Sequence, residues 1–340
     1  MNFHRNSNLS GNRYIKKNVS ILISITYATL LSSFPNFVFR DRDTYVTYAI
    51  YSVGLLEDYS SSSYLFNEPL FLYYNNILSY VFSVNLIPKV GVFLIAFTLA
   101  YFILIYASSF LKIILGFFLI FFVSYTFHLQ LVVLRQGLAT IMLMWFVHLY
   151  WGQKKFYLLC FILPFFHASF FIIVPTLIYD RILSNYISST KIKILIISIS
   201  MIFLSLILLQ IATDLGVRQA TQDHLLNNEN GGGGFILFAF IFMFLYFRGL
   251  NNVYNNKYGR ISILGLIVYL AFYFTVPISG RIIGTFLPFM YIYIVSSKNL
   301  KIITAALVFL IINILLFLSS IVGGSLTLEG VRYLNNILIY

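Results

Sequence analysis

Arginines set among apolar residues are the first sign of chemistry in this 340-residue sequence. Arg135 stands in Leu134-Arg135-Gln136-Gly137-Leu138-Ala139, and Arg281 in Pro277-Ile278-Ser279-Gly280-Arg281-Ile282-Ile283-Gly284. An arginine at the bilayer centre costs at least about 2.5–3.5 kcal/mol on insertion scales, so it faces an interior or a cavity. A guanidinium grips phosphate oxygens in a two-pronged fork. Arg135, Arg281 and one of Arg40 or Arg42, with Arg42 the chosen candidate, could together hold a diphosphate. A plainer reading, a snorkelling anchor at a helix end, stands beside it for Arg135.

Proton transfer would fall to His167 or Glu68. His167 lies in Phe165-Phe166-His167-Ala168-Ser169-Phe170, deep within an apolar run bounded by Pro164 and Pro175. Histidine is the side chain whose charge changes most easily near neutral pH. A satisfied structural histidine is the bland alternative. Glu68 directly precedes Pro69, a residue favoured at the first helical position. Its carboxylate would sit well at a helix N-terminus, which is also its bland explanation. Upstream, Arg40-Asp41-Arg42-Asp43-Thr44-Tyr45, Tyr48 and Tyr51 put carboxylates, cations and rings together; a solvated connector would show the same composition. His128 precedes Arg135, and His148 reads as an interface residue.

The elements that must position these groups follow from composition. Hydrophobic residues make up 60% of the chain, charged residues 9%, and mean hydropathy is +0.90. Ordinary soluble domains carry about 25% charge. At about 20 residues per span, the apolar content supports a polytopic helical membrane protein with about 9–11 spans, some broken or re-entrant. Barrel strands alternate apolar and polar residues, whereas Ile194–Ile211 and Ile302–Val322 are apolar almost throughout. The sequence thus predicts an all-α, polytopic transmembrane bundle forming one integral membrane domain over 1–340.

Apolar runs occupy Val19–Phe39, Leu70–Leu86, Val90–Ala107, Phe110–Phe127, Leu131–Trp151 and Phe156–Tyr179. Others follow at Ile192–Ile211, Phe235–Leu250, Ile261–Val276, Ile282–Val295 and Ile302–Val322. The first reads as a retained span and not a cleaved signal. Net charge is +12, but the basic residues are scattered between the runs, a membrane pattern and not a nucleic-acid one. Cys160 permits no internal disulfide. No nucleotide-binding or metal motif is visible, so no metal or cofactor is expected.

Charge also orients the chain. Arg5, Arg13, Lys16 and Lys17 predict a cytoplasmic N-terminus, as Arg248, Lys257 and Arg260 do for a cytoplasmic loop at 248–260. Acids mark external loops at 40–69 and 212–234, and Asp180 alone departs from the separation. Thr213–Gly234, with Arg218, Gln222, Asp223 and His224, reads either as a lid or as a linker. Two arrangements fit the middle. If every run crosses, Lys154 and Lys155 face outward, against the charge rule. If Leu70–Leu86 only dips and Phe156–Tyr179 folds back at its centre, they lie with Lys112 inside and Arg135 outside. The second is preferred, because Asn75-Asn76, Pro164, His167 and Pro175 interrupt those two runs.

In its order of Asp41–Tyr51, Glu68-Pro69, Arg135-Gln136, His167 with Ser169, and Arg281-Ile282, the chain resembles the EpsG-like, Wzy-type polymerases of bacterial O-antigen and capsular polysaccharides. Family proteins often carry glycine-aspartate-tyrosine in the first loop, where this chain has Arg42-Asp43-Thr44-Tyr45. The resemblance implies a GT-C-like bundle in the bacterial inner membrane. Such an enzyme transfers a glycan from undecaprenyl diphosphate to a lipid-linked repeat unit, needs no metal or cofactor, and has a chain-length regulator and membrane lipids as partners. It implies Arg135, Arg281 and Arg42 at the diphosphate, His167 or Glu68 as base, and Asp43, Tyr48 and Gln136 along the sugar path. A lipid-linked-oligosaccharide flippase, an O-antigen ligase and a membrane acyltransferase are the competing readings.

Overall fold

The computed structural model describes residues 5–58, 64, 67–214, 233–275 and 279–339. Helices account for almost all of them. α1 (Arg5–Ser32) leads through a 3-10 turn at Asn36–Val38 into α2 (Arg42–Glu57) and α3 (Pro69–Ser79). α4 (Ile87–Tyr106), α5 (Phe110–Phe122), α6 (Ser124–Leu131) and α7 (Leu134–Tyr150) follow. α8 (Lys154–Cys160) and α9 (Phe170–Tyr186) flank a second 3-10 turn at Leu163–Phe165. The remainder comprises α10 (Thr190–Asp214), α11 (Gly233–Asn255), α12 (Lys257–Phe272), α13 (Ser279–Ser296), α14 (Leu300–Gly324) and α15 (Leu328–Ile339).

The polytopic helical bundle expected from composition is what forms. By length and composition, four helices among the described residues can cross a membrane, or six if each bent pair counts as one span. Several other apolar runs form shorter helices. α7 and α9 have 17 residues and α12 has 16, so they stop short of a full crossing length while still packing inside the bundle. The run Phe110–Phe127 is bent by 72° between α5 and α6, and α11 bends by 98° near Gly249.

α13 is the central element, with 83% of its span buried, while only 28% of α10 and α14 is buried. It packs on α4, α5, α6, α7, α12 and α14 and buries Phe286, Phe289 and Tyr291 almost completely. Lipid tails are as apolar as leucine, so these contacts are held by close packing and not by exclusion of water. Gly265 of α12 shows how close: a Cβ there would lie 2.0 Å from the Phe286 ring.

The helix ends form two chemically different layers. At one end, Lys112 Nζ donates to the Ser297 carbonyl, and Lys257 Nζ to the carbonyls of Val147 and His148 at 3.0 and 3.1 Å. The C-terminal part of α9 returns to the same end, where Arg260 donates to Ser184 Oγ at 2.6 Å. Lys154, Lys112 and Lys257 therefore share one end, which is the geometry of the second arrangement. The segment 154–186 leaves this end in α8, turns round near His167 and comes back in α9. α3, with 11 residues, is about 16 Å long against a hydrocarbon core of about 30 Å.

At the opposite end the α1–α2 turn is fastened down. Asn36 donates to the Asn85 carbonyl at 2.9 Å, and Arg40 N to the Ser325 carbonyl at 3.0 Å, beside a lone bridge between Phe39 and Leu326. The stretch at 40–69 is thus not plain connector, since α2 fills much of it. Apart from its two ends, in α10 and α11, the segment Thr213–Gly234 lies outside the described residues, as do Ser60–Ser63, Pro277 and Ile278. Single cysteines placed at 154 and at 257, in a Cys160→Ser background, are expected to react with an impermeant thiol reagent from the same membrane side. A cysteine at 43 should react from the other side.

Candidate functional site at converging helix N-termini

Glu68 organises the site. Its backbone sits in the left-handed region at φ 60° and ψ 51°, unusual for a residue with a side chain, and such strain costs roughly 1–3 kcal/mol. The carboxylate makes no capping bond to α3, so helix initiation does not account for it. It reaches across the bundle instead. Oε2 pairs with Arg135 Nη1, and Oε1 accepts the Ala168 backbone N–H at 3.0 Å. His167 Nε2 lies 3.9 Å from the same Oε1.

His167 has a readable protonation pattern. The backbone N–H of Ser169 donates to its Nδ1 at 3.3 Å, and Ser169 Oγ lies 2.7 Å from that nitrogen. A nitrogen that accepts carries a lone pair, so the imidazole proton of the neutral ring resides on Nε2, facing Glu68. The interruption between the 3-10 turn at Leu163–Phe165 and α9 creates this arrangement by freeing the N–H groups of Ala168 and Ser169 ahead of α9.

Arg135 opens α7 with its side chain 28% accessible, against 3% for Glu68. Its guanidinium lies over the rings of Tyr48 and Phe71, at 5.5 and 5.9 Å, a favourable place for a cation. The Tyr45 hydroxyl lies beside it. Arg281 is half-buried in the first turn of α13, within electrostatic range of Arg135, Glu68, Tyr45 and Asp41. Gln136 ties the two helices together, donating to the Arg281 carbonyl and, at 2.9 Å, to Thr285 Oγ1.

The N-terminal ends of α3, α7, α9 and α13 therefore meet in one layer. A helix N-terminus carries about half a positive charge, and broken helices in transporters direct such ends at anionic substrates. Arg135, Arg281 and these dipoles surround the buried carboxylate of Glu68.

The structure gathers Glu68, Arg135, Tyr48, His167 and Arg281. It assigns different surroundings to the rest. Arg42 is fully buried, and its guanidinium is engaged inside the protein: Nε donates to the Leu131 carbonyl at 2.7 Å, Nη1 to Asn36 Oδ1 at 3.3 Å, and the Phe39 ring lies 5.0 Å away. It braces the turn ahead of α7. Gln136 has its amide nitrogen committed between helices, and Asp43 is exposed in the first turn of α2. His128 bonds Ser325 Oγ at 3.1 Å, and His148 bonds the Tyr106 hydroxyl at 2.6 Å in the basic layer. Tyr45 and Phe71 were missed as site residues. Tyr45 precedes Tyr48 by three residues, and Phe71 follows Glu68 by three, so helical spacing was the available signal. Among the described residues no three His, Cys, Asp or Glu side chains gather to hold a metal ion.

Fold and site together define a polytopic helical membrane protein whose helix starts gather two arginines around a buried carboxylate. The chain belongs to the EpsG family, whose model matches residues 18–330. Membership associates it with polymerase-like glycosyltransferase activity in membrane polysaccharide biosynthesis. No curated protein and no solved structure shows significant similarity to it.

Proposed function

We propose that the protein extends a polysaccharide at the external face of the bacterial inner membrane, joining repeat units carried on undecaprenyl diphosphate. The observation that supports this best is the meeting of Arg135 and Arg281 with helix N-termini around Glu68. The glycan leaves its lipid diphosphate as the bond between the anomeric carbon and a phosphate oxygen breaks. Arg135 and Arg281 stabilise the charge gathering on that leaving group. A hydroxyl of the incoming repeat unit forms the new bond to the anomeric carbon and gives its proton to Glu68. His167, held by Ser169, presents an N–H toward the carboxylate and positions it. Tyr48 and Tyr45 line the approach, and Arg42 keeps the α6–α7 turn in place.

With the basic layer on the cytoplasmic side, the orientation obeys the positive-inside rule and puts the site at the external leaflet. Deletion of the gene followed by gel analysis of the surface glycan tests the reading. A polymerase null is expected to leave single repeat units on the acceptor. Loss of all attached glycan would instead point to a ligase, and unchanged long chains would remove the polymerase reading altogether.

A further inference from the structure

At the layer opposite the site, the bundle has an opening that the proposed reaction does not use. α11 packs on α12, and α14 on α5, α6 and α13, which leaves a lateral groove between α11 and α14 with α12 and α13 as its floor. Its main compartment has a volume of about 550 Å³ and is walled by apolar side chains such as Ile241, Leu245, Met290 and Ala306. A second compartment of about 190 Å³ joins it at the basic layer, lined by Asn252, Lys298, Asn299 and Lys301. The other end is closed by aromatic rings, where Phe238 contacts Phe309 at 5.9 Å, Tyr269 at 5.0 Å and Tyr125 at 6.0 Å.

Depth and charge indicate the occupant. The groove follows α14 from Leu300 to Ile312, about 18 Å at the helical rise. One leaflet of hydrocarbon is half of about 30 Å. The groove therefore matches a single leaflet, is predominantly apolar over that depth, and has two exposed lysines at the mouth where headgroups lie. The ring closure separates it from the Glu68 layer. We infer that this groove is a binding site for an anionic phospholipid of the leaflet on the basic side, its acyl chain between α11 and α14 and its phosphate at Lys298 and Lys301.

The inference is independent of the proposed reaction, and native mass spectrometry of the full-length protein in detergent tests it. Phosphatidylglycerol and phosphatidylcholine with identical chains are supplied in equal amounts. Two lysines should favour retention of the anionic lipid about 30-fold, at the usual strength of a basic side chain near an anionic lipid. The double variant Lys298→Gln, Lys301→Gln should retain both lipids equally. Ala306→Trp, which fills the groove, should lose the preference too. Equal retention by the wild-type protein, or a preference that survives either variant, would overturn the assignment. So would displacement of phosphatidylglycerol by an equal amount of undecaprenyl phosphate, which would give the groove to the substrate's tail.

Discussion

Replacing Arg281 by Ala is expected to reduce chain extension by about 100- to 1,000-fold, the loss typical when one transition-state charge stabiliser is removed. Protein level in the membrane should stay near normal, because Arg281 is half-buried and Gln136 holds its backbone carbonyl, not its side chain. Arg135→Ala should abolish extension as well, but with a second effect. It strips the partner from a carboxylate that is 3% accessible, and breaking a buried pair in this way costs about 3–5 kcal/mol. The lysine variants discriminate best. An ammonium is a point charge without the planar fork, so Lys at either position should restore only part of the activity. Two unrelated snorkelling anchors would instead accept lysine with little change. Polymer length on gels, normalised to membrane protein level, provides the measurement.

Glu68→Gln should be nearly as damaging, for a different reason. The amide keeps the shape and can still accept the Ala168 N–H, but it no longer takes up a proton. Loss of a general base costs about 100- to 10,000-fold in rate. Affinity for the lipid diphosphate should hold or improve, because the anion that competes for Arg135 has gone. The expected signature is therefore a fall in kcat with KM unchanged or lower. Glu68→Gly separates strain from chemistry. It relaxes a backbone that a non-glycine residue occupies at a cost of roughly 1–3 kcal/mol, yet it should be as inactive as Glu68→Gln. Activity retained in either variant would remove Glu68 from the reaction.

Much of this site is legible in the sequence because charge in an apolar run must be explained. Arg135, Arg281 and His167 stand out by their surroundings alone. The turn near His167 is also visible, through Pro164 and the lysines that precede it. What the sequence hides is the choice of partner. Arg42 and Arg135 look alike on paper, yet Arg42 donates to a carbonyl 89 positions away and Arg135 to a carboxylate 67 positions away. Gln136 looks like a ligand group beside Arg135, but the close approach of α7 to α13 claims its amide. Asp180, the acid out of place in the charge pattern, is explained by burial: its carboxylate accepts from Tyr254 and, at 2.6 Å, from Arg260. Hydropathy registers an apolar run without its bends, so the 72° turn between α5 and α6 is not visible in the sequence.

The pairing of Glu68 with Arg135 also bears on how the chain is made. Synthesis runs from the N-terminus, so the carboxylate has left the ribosome before the arginine emerges, and the turn that supplies the Ala168 N–H comes later still. Arg281 arrives last, when α7 and its glutamine are already in position. Each arginine of the site thus reaches the bilayer after a group able to receive it. A circularly permuted gene that delivered Arg135 ahead of Glu68 would reverse that order without altering any final contact. The order of delivery is then a property of this chain separate from its folded shape.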